Sequence, residues 1–303
     1  MTETKLERRT TEAAKRGKRL LEEQRNYPVA MHNEFIQGRR YTLPNAGKSM
    51  TITETKILMY LVSRIKKEDT QLEPQEFNLR NFCEVCGIGG DSTSDYYAHL
   101  KQAIKKLADR SSWLKTEDGK EKLVRIISKA ELNTAGTGTI RIILDNDMAP
   151  YLLELKRNYT VFPLKEVLRM KSKYGIALYE ILKSYAFTGR PVEFSLQDLK
   201  ERLDCTSYSS TYNLKVKVLE PALRDINTYS SLKVDVEYEK VGRSISSVVF
   251  FVTDLATSVD VLDEFELNHR YRNSEKEFFE NQQLNMFDEM LSGPEDDSVL
   301  VAG

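Results

Sequence analysis

The stretch that decides the fold is Ser195–Val252, SLQDLKERLDCTSYSSTYNLKVKVLEPALRDINTYSSLKVDVEYEKVGRSISSVVFFV. It starts with a serine, a residue that favours helix N-termini, and SLQDLKERL predicts a short helix. A turn of Ser, Thr and Tyr leads into a second, basic helix, YNLKVKVLEPALRDIN. Two alternating segments, LKVDVEYE and SISSVVFFV, then predict strands joined by the tight basic turn Lys240-Val241-Gly242-Arg243. The order is therefore helix, turn, basic helix and a hairpin with a basic tip.

This order is typical of a winged helix-turn-helix, which presents one helix to the DNA major groove and a loop to the neighbouring phosphates. At 100° per residue, one half of the basic helix is apolar, formed by Leu214, Val218, Leu219, Ala222, Leu223 and Ile226. Lysine and asparagine side chains can hydrogen-bond to guanine and adenine edges, respectively. The candidate DNA contacts are Asn213, Lys215, Lys217 and Arg224 on the helix and Lys240 and Arg243 in the hairpin. An ordinary amphipathic helix with a solvated charged face is the alternative interpretation.

A similar order of elements is predicted in the first half of the chain. It begins with a helix capped by Thr53, a strand at Gln75–Asn78 and a helix at Leu79–Val85 that is stopped by Gly87, Gly89 and Gly90. The next helix has the apolar stripe Tyr97, Leu100, Ile104 and Leu107. Strands at Trp113–Lys115 and Leu123–Lys129 around a turn at Glu117–Lys120, a strand at Thr137–Leu144 and a short helix from Asp147 complete the unit. The candidate DNA contacts here are Tyr96, Lys101 and Lys105, together with Lys106. A structural or dimer-forming role for this unit stays open.

The length of 303 residues allows two domains. We expect an α+β protein of two tandem winged-helix domains, divided into a basic flexible arm (1–45), an N-terminal winged helix (46–158), a C-terminal winged helix that is the principal DNA reader (159–254) and an acidic, largely disordered tail (255–303). The charges support this division. Residues 1–40 carry 10 Lys and Arg against 6 Asp and Glu, a net charge of +4, whereas residues 255–303 carry 3 against 12, a net charge of −9. Residues 41–254 carry 32 Lys and Arg against 28 Asp and Glu, again a net charge of +4, so a basic body with an acidic tail fits binding to a polyanion.

The composition argues against several other classes of protein. The sequence has no apolar run near the roughly 18 residues that a membrane span needs. It has no secretion signal, and its three cysteines form no disulfide framework, so a cytoplasmic location is expected.

No catalytic, metal or cofactor constellation is predicted. The segment Gly47-Lys48-Ser49 lacks the earlier glycine of a phosphate-binding loop, because position 42 is Thr. Cys83 and Cys86 have no nearby second ligand pair, which favours buried packing over a metal site. The three histidines are isolated in sequence and do not form the His-hydrophobe-His motif of rolling-circle nicking enzymes. We therefore expect no enzyme activity and no cofactor.

The tail carries the pentapeptide Gln283-Leu284-Asn285-Met286-Phe287. It resembles the short peptide by which bacterial replication proteins bind the sliding clamp, with Gln283, Leu284, Met286 and Phe287 as the anchors. A tail helix that folds back onto the protein is the alternative.

Across residues 45–252 the chain resembles the plasmid replication initiators of the RepB-like, iteron-binding type with two winged helices. The motifs that carry the resemblance are TxxE/TKILxYL near Thr51–Leu61, YxHLKxAIxxL at Tyr97–Leu107, PYLLELKxNYT at Pro150–Thr160, SKYGIALYEILKSY at Ser172–Tyr185, VLEPALRDIN at Val218–Asn227 and the hairpin GRxIxxVxF at Gly242–Phe250.

The resemblance implies that the protein binds origin repeats on double-stranded DNA, helps to open the origin and recruits host replication proteins: the helicase, the host initiator and the sliding clamp. It also implies a homodimer in equilibrium with the monomer, in which the dimer binds an operator and represses the protein's own promoter. A winged-helix transcriptional repressor without initiator activity is the alternative function, and a nicking nuclease or primase is a third.

Overall fold

The structure is a computed structural model that describes residues 24–37, 50–88, 93–115, 120–133, 138–155, 157–242 and 244–256. The helices are α1 (Asn33–Gln37), α2 (Ile52–Ser63), α3 (Leu79–Cys86), α4 (Thr93–Ala108), α5 (Ala149–Leu152), α6 (Leu164–Arg169), α7 (Lys173–Ala186), α8 (Leu196–Arg202), α9 (Thr211–Leu214) and α10 (Glu220–Tyr229). The strands are β1 (Pro28–His32), β2 (Gln75–Asn78), β3 (Ser111–Lys115), β4 (Glu121–Arg125), β5 (Ile127–Asn133), β6 (Thr139–Leu144), β7 (Tyr159–Pro163), β8 (Val192–Ser195), β9 (Leu232–Val241) and β10 (Ser244–Asp254).

The same arrangement of elements occurs twice. In the C-terminal half, β8 leads directly into α8, and the strands pair in the order β8-β10-β9. In the N-terminal half, β2 leads directly into α3, and the strands pair in the order β2-β6-β5. Asn78 and Ser195 occupy equivalent positions, since each side chain accepts backbone N–H bonds from the first turn of the helix that follows. Each half is thus a three-helix unit with a three-stranded sheet.

The hairpin β3–β4 interrupts the first unit. We expected one strand over Leu123–Lys129, but the chain divides there at Ile126: β4 pairs with β3, whereas β5 pairs with β6. The hairpin that corresponds to the C-terminal wing is therefore β5–β6, and β3–β4 is an insertion between α4 and that wing. Alternation of apolar residues predicts a strand but does not say which strand it pairs with.

Two helix starts also differ from the prediction. Thr51, and not Thr53, caps α2, because its hydroxyl accepts the N–H of Glu54. Asp145, and not Asp147, caps the short 3₁₀ turn Asn146–Met148 that precedes α5. In both cases a neighbouring residue has the same capping chemistry, so the cap depends on backbone geometry.

Residues 24–37 correct the flexible arm that we expected over residues 1–45. Strand β1 pairs antiparallel with β7, from Pro28 opposite Pro163 to His32 opposite Tyr159. The segment also buries five large apolar side chains, those of Tyr27, Val29, Met31, Phe35 and Ile36. At the end of α1, Gln37 donates to the Ser184 hydroxyl and its carbonyl accepts from the guanidinium of Arg202. This segment is therefore part of the core and links β7, α7 and α8. Residues 1–23, 38–49 and 257–303 lie outside the described part.

Candidate nucleic-acid interface

The basic helix spans residues 211–229 and contains a π-helical turn. It starts at Ser210, whose hydroxyl accepts the N–H of Asn213, and α9 passes into a π-helical segment at Lys215–Leu219 before α10 begins. The N–H of Glu220 bonds to the carbonyl of Lys215, five residues earlier. Pro221 explains the wider turn, because a proline has no N–H and its ring would collide with the Lys217 carbonyl in a regular α-helix. The helical projection at 100° per residue assumes a regular α-helix and does not include this turn.

The projection at 100° per residue predicted the buried residues, but it places Lys215 within the apolar half, and Lys215 is exposed in the structure. Five of its six apolar residues are buried, namely Leu214, Val218, Leu219, Ala222 and Ile226, and Leu223 is half-buried. Lys215, Lys217 and Arg224 are exposed, and Asn213 is half-buried at the first turn. Since the buried half packs onto the core, the outward half is the part of the helix that can meet a ligand.

Two exposed apolar residues on this helix were not predicted as site residues. Tyr212 is 73% exposed and Val216 is 37% exposed, and they are four positions apart. Val216 could have been found in the sequence, since it lies between two lysines, whereas Tyr212 falls within the apolar half at 100° per residue and gives no such signal.

The wing is the long hairpin β9–β10. Lys240 and Val241 lie at its tip and are exposed, and Gly242 has a φ of +63°, a conformation that favours glycine in a tight turn. Arg243, the other predicted wing contact, lies outside the described residues. The wing contacts the basic helix directly: the Lys215 ammonium lies 5.1 Å from the centroid of the Tyr238 ring.

Hydrogen bonds fix the base of the wing to the helix. The Asn227 side chain donates to the carbonyl of Val234 and accepts its N–H, at 3.0 and 2.8 Å. The Lys233 ammonium donates to the Asn227 carbonyl. Three hydrogen bonds therefore attach the base of the wing to the basic helix.

Asp225 fixes the opposite, buried side of the helix. Its carboxylate accepts the N–H groups of Lys171 and Ser172, at 2.7 and 2.6 Å, where α7 begins. Gly175 makes this approach possible, because a Cβ at that position would lie 3.1 Å from the Asp225 Cβ. The glycine of SKYG and the aspartate of LRDIN thus form one contact.

A buried polar network lies at the base of the wing, where β9 begins and β10 ends. The carboxylate of Glu166 accepts the Tyr179 hydroxyl at 2.5 Å and the Ser231 N–H at 2.9 Å. Nearby, the Lys183 ammonium pairs with Asp254 at 2.5 Å. Burial raises the pKa of Glu166, and the hydrogen bond from Tyr179 and the charge of Lys183 oppose this shift. These groups connect α6 and α7 to the start of β9 and the end of β10.

The candidates of the first unit lie on α4. Lys101 and Lys105 are both exposed, one helical turn apart, and the Lys105 ammonium pairs with Asp109 at 2.7 Å. The backbone of Tyr96 belongs to α4, but its side chain lies outside the described part. The clamp-like residues Gln283, Leu284, Met286 and Phe287 also lie outside it, as does Gly47-Lys48-Ser49.

The cysteine pair Cys83 and Cys86 is buried on α3. Burial raises the pKa of the Cys83 thiol to about 11 and that of Cys86 further, so both thiols stay protonated near neutral pH. Within the described ranges, no three His, Cys, Asp or Glu side chains cluster as metal ligands. No described helix is long and apolar enough to cross a membrane.

Comparison with known proteins identifies the family. The model described as Initiator Replication protein, WH1, matches residues 28–183, and the model described as Initiator Rep protein, WH2, matches residues 195–252. The chain belongs to the initiator replication protein family. The two matches confirm the pair of winged helices and the DNA-binding class of the protein. The first match reaches residue 183, past the boundary that we expected at residue 158, and includes the β1–β7 pair.

Two individual proteins are similar to this chain. A replication initiation protein of Escherichia coli is 24% identical over 253 residues, which cover 80% of this chain and 77% of the relative. A solved structure of domains 2 and 3 of RctB covers 69% of the initiator and 84% of that chain, with 10% identity and a TM-score of 0.43.

Proposed function

We propose that the protein is a plasmid replication initiator that binds repeated sequences at its origin through the basic helix and the wing. One observation carries the proposal: the helix is anchored by Asp225 on its buried side and bonded to the wing by Asn227, while Lys215 and Lys217 face outward. A helix held rigidly with two lysines outward suits insertion into the major groove, and Lys240 and Arg243 would then reach the flanking phosphates.

The proposal extends to the other partners that the family resemblance implies. The N-terminal unit contacts the DNA backbone or a second half-repeat through Tyr96, Lys101 and Lys105 and forms the dimer. Monomers on repeats open the origin and recruit the host helicase and initiator, and dimers on an operator repress the promoter. The segment 283–287 binds the sliding clamp. All of this takes place in the cytoplasm and without catalysis by the protein itself.

Footprinting on the DNA that flanks the gene tests the central claim. We expect protection of direct repeats of about 20 base pairs, spaced near whole helical turns, with an affinity that falls steeply as salt rises. Protection of no repeated sequence would contradict the proposal.

A winged-helix repressor without initiator activity is the second candidate, because the same helix and wing would bind an operator equally well. Deletion of the gene from its replicon distinguishes the two functions. Loss of replicon maintenance indicates an initiator, whereas promoter derepression alone indicates a repressor. Incubation with supercoiled origin DNA and a divalent metal should yield no nicked or covalently linked species.

A further inference from the structure

The exposed pair Tyr212 and Val216 is unusual for a helix whose other apolar residues are mostly buried. The two side chains are one turn apart and exposed, and Lys215 and Lys217 flank Val216. From Thr206 to Leu219 the sequence has no acidic residue, and the exposed Glu220 follows one turn after Val216, so the positive charge beside the pair comes from Lys215 and Lys217. An apolar patch framed by lysines at the outer face of a helix fits an anionic partner that also presents apolar groups.

The thymine C5-methyl group is the apolar feature of the DNA major groove. We propose that Tyr212 and Val216 read thymine methyl groups in the bound repeat, which makes them specificity-determining residues beside the lysines. This inference rests on the proposed function, since it requires the basic helix to lie in the major groove. It adds a type of base recognition that hydrogen bonding from Asn213, Lys215 or Lys217 does not supply.

The contact between Lys215 and Tyr238 supports different roles for the lysines and for the pair Tyr212 and Val216. The Lys215 ammonium is drawn toward Tyr238 on β9, on the wing side of the helix. No hydrogen bond, ion pair or ring contact joins Tyr212 or Val216 to the described part of the wing, and their exposure leaves their apolar surface available for burial. Burial of a methyl-sized apolar surface strengthens binding by about fourfold.

Replacement of thymine by deoxyuridine is the sharpest test, because it removes only the methyl group and keeps the base pair. The probe is a duplex with one footprinted repeat, prepared with thymine or with deoxyuridine at every T, and Kd is measured for both. We expect wild-type protein to bind the deoxyuridine duplex more weakly by about fourfold for each methyl group contacted. The double variant Tyr212→Ala, Val216→Ala should bind both duplexes with equal affinity.

Two further variants sharpen the result. Tyr212→Phe keeps the ring and should retain the discrimination, whereas a contact through the hydroxyl would lose it. Phe187→Ala is a matched control, because Phe187 is 83% exposed and lies beyond α7, outside the basic helix and the wing. It should discriminate as the wild type does.

The outcomes separate the two claims. If wild-type protein binds the repeat specifically but does not distinguish the duplexes, or if the double variant still distinguishes them, the thymine inference is wrong and the proposed function stands. If wild-type protein binds the repeat no better than random DNA, the proposed function itself fails.

Discussion

The Lys215 ammonium lies 5.1 Å from the centroid of the Tyr238 ring, so a charge on the basic helix is held against a strand of the wing. The two residues are 23 positions apart in the sequence, and the chain between them turns back on itself through Asn227 and Val234, whose two hydrogen bonds fix the geometry. Helix and wing therefore present their charges at a fixed distance, and this rigidity lowers the ordering entropy lost on binding.

Removal of the Tyr238 ring should weaken DNA binding through the position of Lys215. A cation over an aromatic face at a partly exposed site is stabilised by about 0.5–1 kcal/mol. We expect Tyr238→Leu to raise Kd by about twofold to fivefold, as follows from that range, and Tyr238→Phe to bind as the wild type does. Fluorescence anisotropy with a repeat duplex measures both. Equal binding by the Leu variant would show that the contact does not position Lys215.

Replacement of Lys217 by alanine should weaken binding directly. Lys217 is exposed, and no ion pair to it is found among the described residues. We expect a loss of about 1–3 kcal/mol if the side chain contacts a base, or a decrease of about 1 in the salt slope if it contacts a phosphate. Arg243→Ala should produce a loss in the same range.

Titrations of the repeat duplex at several salt concentrations separate these two modes of contact. Lys67→Ala is the charge-matched control, because Lys67 is exposed in the loop after α2. Wild-type affinity in the Lys217 and Arg243 variants would exclude both residues from the interface.

Replacement of Asp225 by asparagine should destabilise the fold. The carboxylate accepts two backbone N–H groups at the start of α7, and hydrogen bonds to a charged group contribute about 1.5–3 kcal/mol. We expect a lower free energy of unfolding in urea. Asp235→Asn, at an exposed position of β9, should change stability little.

Gly175→Ala should also destabilise the protein, which is the reverse of the usual effect. In a helix interior alanine is more favourable than glycine by about 1 kcal/mol. Here the new methyl group would lie 3.1 Å from the Asp225 Cβ and 3.2 Å from its carboxylate, so Asp225 must shift away from the N–H groups that it accepts. Thermal unfolding monitored by circular dichroism measures whether the variant is less or more stable than the wild type. A stabilised variant would show that the contact between α7 and the basic helix is loose.

Glu166 should make stability depend on pH. Burial raises its pKa above the ordinary value of 4.5, so the folded protein holds this proton more tightly than the unfolded chain does. The stabilising contribution of Glu166 is therefore complete below pH 4.5 and is lost as pH rises through the folded pKa. We expect the wild type to lose stability relative to Glu166→Gln over this window. A difference between the two proteins that is independent of pH would contradict the shifted pKa.

Sequence periodicity predicted the elements best where local chemistry is sufficient. Ser195 caps α8 as expected, and Gly87 ends α3 in a left-handed conformation. The buried half of the basic helix followed from its spacing alone. Capping and amphipathic burial depend on residues within a few positions of each other, and the sequence displays these directly.

The charged residues of the candidate site could be predicted from the sequence. The exposed Tyr212 and the residues that position the basic helix could not. Lys215 and Lys217 stand out in a basic segment, whereas Tyr238 is one aromatic among several in an alternating strand. Asp225 is a charged residue that the sequence would place in solvent, yet it is buried because two N–H groups from α7 meet it. Partners of this kind are known only once the helices have packed.

By itself the sequence determined the order of helices and strands, the duplication of that order and the basic face of the second unit, because each depends on short-range pattern. Only the tertiary structure decided that residues 24–37 belong to the core, since β1 pairs with β7 more than a hundred residues later. It also decided that β3–β4 is an insertion and that Lys215 meets Tyr238. Strand pairing and helix–wing contact are long-range choices, and they depend on how the whole chain buries its apolar surface.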